Sequence, residues 1–173
     1  MKTKTINIYE LSELGEKEKA IAHQNWRQEQ DYSFLKDDLT YKLNELLKDN
    51  KIKIVGDTKV FYSLSYCQGD GAMFEGEFEW KKYTVYIKQS GRYYHSNAKM
   101  IEIHETNNLG IDIGDDYEPK VYTEFEKIYQ KICKELERYG YDCMETNDSF
   151  ENFKEECESN DVEFLLDGTK AEL

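Results

Sequence analysis

The chain of 173 residues holds a single proline, Pro119. A residue that fixes φ and removes a donor is almost absent, and its one position suits the opening of a helix. Long apolar runs are missing too. None approaches the roughly 20 residues that a membrane-crossing helix needs, so no membrane partner is expected. Residues 1–9 lack the apolar core of a secretory leader, so a cytoplasmic location, in the compartment where the chain is made, is expected. Cys67, Cys133, Cys143 and Cys157 are widely spaced with no Cys-x-x-Cys pair, which points away from structural zinc and toward reduced, mostly buried thiols. His-Glu-x-x-His, a phosphate-binding glycine loop and a Gly-x-Ser-x-Gly nucleophile turn are all lacking.

What is present is a foldable composition: 39% hydrophobic, 34% charged and 14% aromatic residues. That is too aromatic for disorder and long enough to bury a core, so one α+β domain over 1–173 is expected. Basic side chains are scarce in one region. Residues 1–114 carry 18 acidic and 16 basic groups, net −2, whereas 115–173 carry 18 and 7, net −11. Such a C-terminal part repels nucleic-acid phosphates and attracts a basic protein surface, so little affinity for free DNA is expected.

Along the chain, Ile6 to Tyr9 alternates as a short strand, and Ser12 caps a helix reaching about Gln30. After Ser33, leucines at 35, 39, 43, 46 and 47 mark a second helix ending near Asn50. Strands are expected over 59–66, 72–78, 84–87 and 99–104, with a weaker one around Ile111. Residues 114–119 form a break. Tyr122, Phe125, Tyr129, Ile132, Cys133 and Leu136 then repeat at helical spacing, in a helix that stops near Gly140. Asp148-x-x-Glu151 reads as a capping box for a last helix, and 162–165 as a returning strand. Helices from the N- and C-terminal segments around a central, mostly antiparallel sheet give an α+β fold.

The most informative stretch is 63–78, where a strand runs into Gln68-Gly69-Asp70-Gly71 and a second strand leaves it. A tight glycine hairpin is the natural reading. Gly69 and Gly71 can also let a ligand or another backbone come close. Arg92, Tyr93 and Tyr94 precede His95 in a turn between two strands, where arginine and tyrosine can stack a base or bind phosphate. His23, Trp26 and Arg27 share one neighbourhood of the first helix. If His95 or His104 met Asp70 and Glu75 across the sheet, the set could act as acid and base or take a divalent metal, the one cofactor these residues suggest.

Several segments together carry a resemblance: Tyr9-Glu10-Leu11-Ser12-Glu13-Leu14, Trp26-Arg27, Asp31-Tyr32, Ser65-Tyr66-Cys67-Gln68-Gly69-Asp70-Gly71-Ala72, Tyr93-Tyr94-His95, and the tail from Asn160 to Gly168. They resemble a family of small phage and mobile-element proteins whose hallmark is Ser-Gln-Gly-Asp-Gly-Ala and whose members are described as antitoxin-like or uncharacterised. Cys67 stands where that hallmark has serine, which weakens any role for a hydroxyl there. The likeness extends to type II anti-CRISPR proteins, inhibitors of Cas9. It implies an anti-defence protein in a bacterial host cell that binds Cas9 with its guide RNA, whose channels are positively charged. A variant with ribonuclease activity on the guide RNA would use Gln68, Asp70 and His95 as catalytic residues. Binding would then involve Gly69, Gly71, Arg92, Tyr94, His23, Trp26 and Arg27, with Glu155, Glu156, Glu158 and Asp161 on the acidic side. The alternative is an antitoxin-like acidic module that sequesters a basic toxin or nuclease, and a third reading is a structural phage protein.

Overall fold

The computed structural model describes residues 6–105 and 119–171. The weaker strand expected around Ile111 and all of the 114–119 break except Pro119 lie outside these residues. The fold is α+β. In chain order the elements are β1 (Tyr9–Glu10), a 3-10 turn (Leu11–Glu13), α1 (Glu16–Gln28), α2 (Leu35–Asp49), β2 (Ile52–Ile54) and β3 (Lys59–Ser63). They continue with β4 (Gly71–Trp80), β5 (Tyr83–Gln89), β6 (Lys99–Glu105), α3 (Pro119–Asn147), α4 (Phe150–Ser159) and β7 (Glu163–Phe164). The chain divides into two compact units, Ser33–Asp142 and a terminal unit of Met1–Tyr32 with Cys143–Leu173. The division falls inside α3 and not at the composition break near residue 115.

In the central unit β4 is the organising strand. One edge pairs antiparallel with β5, which pairs with β6. Along the other edge β3 and β2 follow one another, with Ser63 opposite Gly71 and Ile52 opposite Trp80. β2 went unread in the sequence because three residues are too few to show alternation. The leucine stripe of α2 packs as its spacing requires: Leu35, Leu39, Leu43 and Leu47 are each no more than 2% exposed. The apolar stripe of α3 meets the sheet through Phe125 against Trp80 (5.2 Å between ring centres) and Tyr129 against Phe74 (4.8 Å).

That helix does not stop at Gly140. The residue is buried on the same stripe, and a Cβ there would collide with the Leu64 side chain and meet Leu39 at 3.5 Å. Glycine here makes room for a neighbour and does not end the helix, a distinction that sequence spacing cannot draw.

The terminal unit has its own apolar cluster, built from Leu11, Leu14, Ala22, Phe153, Cys157 and Phe164. β1 pairs antiparallel with β7, Tyr9 opposite Phe164. Two capping expectations are corrected. Ser12 lies within the 3-10 turn, and α1 begins after Gly15. Ser149, not Asp148, caps α4, its hydroxyl accepting from the Asn152 N–H at 3.2 Å. Asp148 is engaged instead by side chains of the N-terminal segment. Both of its carboxylate oxygens accept from the Tyr32 hydroxyl at 2.8 Å, and Arg27 approaches at 3.4 Å.

Candidate functional site

The 64–70 segment joins β3 to β4 and is longer than the tight hairpin that its glycines suggest. One side chain holds it together. The Asp70 carboxylate accepts from the backbone N–H groups of Ser65 (2.6 Å) and Cys67 (2.9 Å). It also accepts from the Tyr141 hydroxyl (2.7 Å), the Ser63 hydroxyl (3.1 Å) and the Cys67 thiol (3.2 Å). The Asp70 N–H meanwhile bonds the Cys67 carbonyl at 3.2 Å and closes the turn.

These donors decide the local electrostatics. Desolvation pulls the Asp70 carboxyl upward, but the bonds from Cys67, Tyr141 and Ser65 outweigh it and hold the group well below the usual carboxylate range. Burial and the bond to Asp70 push the Tyr141 phenol up to about 12, so it remains a donor. The Cys67 thiol is also raised, chiefly by its bond to Asp70. A carboxylate so occupied anchors a loop; as a proton acceptor at neutral pH it is a poor candidate.

The loop is a platform for the 91–95 segment. Gly69 sits at φ +98°, in the left-handed region, and a Cβ there would stand 3.2 Å from the Tyr93 ring. A Cβ on Gly71 would stand 2.8 Å from that of His95. Both glycines are therefore needed for close approach, as their positions suggested, but what approaches is the protein's own 93–95 segment: the Tyr93 ring at Gly69, and His95 with the Tyr94 carbonyl at Gly71. Tyr94 stacks on Phe61 at 5.5 Å and Tyr93 on His95 at 5.8 Å, while the Tyr66 ring lies tilted against Tyr141 at 4.6 Å.

The two loops leave tyrosine rings in solvent. Tyr66 is 66% exposed, Tyr93 53% and Tyr94 38%. Tyr66 also holds a positive φ of 55°, a conformation that costs a non-glycine residue free energy and is retained where surroundings enforce it. Arg92 and Gln68 are exposed in the same two loops, and His95 is half-buried with Nδ1 accepting from the Asn97 N–H at 3.2 Å.

The structure thus brings Gly69, Asp70, Gly71, Tyr94 and His95 into one neighbourhood, with Gln68 and Arg92 in its loops. Among the described residues no hydrogen bond joins Asp70 to His95. His104 is elsewhere: it lies opposite Thr84, which lies opposite Glu79, toward the far end of β4 from Asp70. Glu75 is engaged by Lys59 and the Gln89 N–H. Among the described residues no three His, Cys, Asp or Glu side chains converge to hold a metal ion.

His23, Trp26 and Arg27 serve the terminal unit's packing. His23 bonds the Asp148 carbonyl at 2.8 Å and lies 5.3 Å from the Phe153 ring, as does Trp26. Glu155, Glu156, Glu158 and Asp161 are all exposed. No sequence signal marked Tyr141, which reaches Asp70 from a distant part of the chain; Tyr32, marked only as part of the resemblance, reaches Asp148 from as far away.

Among the described residues no helix is long and apolar enough to cross a membrane. Comparison of the chain with protein-family models, curated proteins and solved structures finds no match.

Proposed function

We propose that the protein acts by binding another protein, with the tyrosine-rich face of the 64–70 and 91–95 loops as its contact surface. The observation that carries this reading is exposed Tyr66 on a loop fixed by Asp70, beside exposed Arg92, Tyr93 and Tyr94 on the segment packed over that loop's glycines. Tyrosine and arginine dominate interface hot spots, and a preformed loop loses little entropy on association. The fully engaged Asp70 favours binding over hydrolysis. The net charge of −13 disfavours free nucleic acid as the partner.

The residues resembling anti-CRISPR proteins, together with this charge, support a guide-RNA-loaded Cas9 as the target. The test mixes the protein with Cas9, guide RNA and target DNA, then runs the RNA on a denaturing gel. Blocked DNA cleavage with intact guide RNA is the expected result, and Arg92→Ala or Tyr93→Ala should weaken the complex by about tenfold or more. Guide RNA shortened by wild type but not by His95→Ala would overturn the binding reading.

The antitoxin-like alternative is favoured by a separate observation. The terminal unit's sequence carries 16 acidic and 7 basic groups, net −9. A basic toxin or nuclease would then be captured through this unit. In that case a pulldown without Cas9 would retain its partner after Arg92→Ala and lose it when the acidic groups are reversed.

A further inference from the structure

Within the terminal unit, β1, the start of α1, α4 and the approach to β7 enclose a groove of about 720 Å³. Its apolar lining comes from Leu11, Phe150, Cys157 and Val162, and the Phe150 ring remains 37% exposed. Its rim is acidic: Glu10, Glu16, Glu158, Asp161 and Glu163. Two lysines lie among them, each matched to a rim glutamate, Lys19 to Glu16 at 3.2 Å and Lys154 to Glu158 at 3.7 Å. Glu10, Asp161 and Glu163 form no ion pair among the described residues.

We infer that this groove docks a basic, amphipathic peptide segment of a partner protein. A large apolar side chain would rest on Phe150 and Val162, while flanking lysine or arginine groups meet the rim carboxylates. The volume falls within the range of about 300–1,000 Å³ typical of ligand sites. Charge complementarity selects this occupant. Five carboxylates against two lysines leave a net −3 around an apolar lining, so a cation relieves repulsion while apolar contact removes Phe150 from water. A second copy of the chain is disfavoured, because its terminal unit carries the same −9. The inference extends the binding reading but uses a different surface.

The test uses the full chain and a fluorescein-labelled peptide of lysine, arginine and leucine, read by anisotropy. Control peptides replace leucine by serine, or the basic residues by glutamate. Glu158→Lys with Asp161→Asn should weaken binding by about tenfold or more. Glu155→Lys with Glu156→Gln makes the same charge change on exposed positions outside the groove and should weaken it no more than about twofold. Phe150→Ser should weaken it several-fold, and circular dichroism checks that each variant is folded.

Absence of binding, equal loss in both charge variants, or equal affinity for the serine peptide would each overturn the proposal. So would self-association of the chain that the peptide displaces, since the groove would then be a homotypic interface. Arg92→Ala and Tyr93→Ala should leave peptide binding unchanged. A failed peptide experiment therefore leaves the tyrosine face to be judged by its own test.

Discussion

Replacing Asp70 by asparagine tests whether this carboxylate anchors the 64–70 loop through its charge. An asparagine oxygen can occupy the position that receives Ser65 N–H, Cys67 N–H and the Tyr141 hydroxyl, at 2.6, 2.9 and 2.7 Å in the wild type. The new NH₂ would face the Ser63 hydroxyl and Cys67 thiol, both able to accept. The geometry survives and the charge is lost. A hydrogen bond to a charged group contributes about 1.5–3 kcal/mol and a neutral one about 0.5–1.5 kcal/mol. Three weakened bonds, discounted for solvent around a half-buried group, give a loss of about 2 kcal/mol. For a unit of this size that lowers Tm by roughly 6–10 °C. Asp70→Ala also strips the acceptors and should cost about 3–4 kcal/mol.

The pH dependence has a definite sign. The folded carboxyl titrates below the unfolded one, so its stabilisation is fully present above the unfolded value of about 3.9 and is lost as pH falls through the folded value. Urea unfolding from neutral pH to pH 3 should show a constant gap between wild type and Asp70→Asn that narrows below about pH 4. Hydrogen exchange at the Ser65 and Cys67 amides should accelerate selectively. A gap under about 0.5 kcal/mol with unchanged exchange at both amides would refute the anchoring argument.

Three further outcomes are expected. Gly140→Ala gains about 1 kcal/mol of helix propensity but drives a methyl into Leu64, for a net loss of about 1 kcal/mol in urea unfolding; in a Leu64→Ala background the same change should be neutral or stabilising. Ser149→Ala should cost about 1 kcal/mol through its lost cap, whereas Asp148→Ala should cost about 2–3 kcal/mol because Tyr32 and Arg27 lose their acceptor. Cys67, although exposed, should react slowly with iodoacetamide near pH 8, since its thiol pKa is raised by Asp70; Asp70→Asn should speed that reaction, and an unchanged rate would refute the coupling.

Much of the fold was legible because it depends on local periodicity. The α2 leucines fall on one face whatever they pack against, and the alternation of 59–66, 72–78 and 99–104 marked three strands to within a few residues. The misreadings share a cause. Ser12, Gly140 and Asp148 are residues whose local preference is strong, and each was put to another use: Ser12 by the local 3-10 turn, Gly140 and Asp148 by distant parts of the chain. At Gly140 the role is room for Leu64; at Asp148 it is the Tyr32 hydroxyl.

The 64–70 loop shows the same division within one site. By itself the sequence determined that a polar, glycine-bearing connection between strands lies at residues 68–71, because alternation on both sides and two glycines leave little else; its true extent, 64–70, was not marked. It also determined the acidic bias, which is a count. Only the tertiary structure decided what Asp70 does. The hydroxyl that helps lower its pKa belongs to Tyr141, 71 residues away, and the rings above its glycines come from residues 93–95. Hydrogen bonds and steric contacts act over a few ångströms in space, so their partners are fixed by packing and leave no mark in the local sequence.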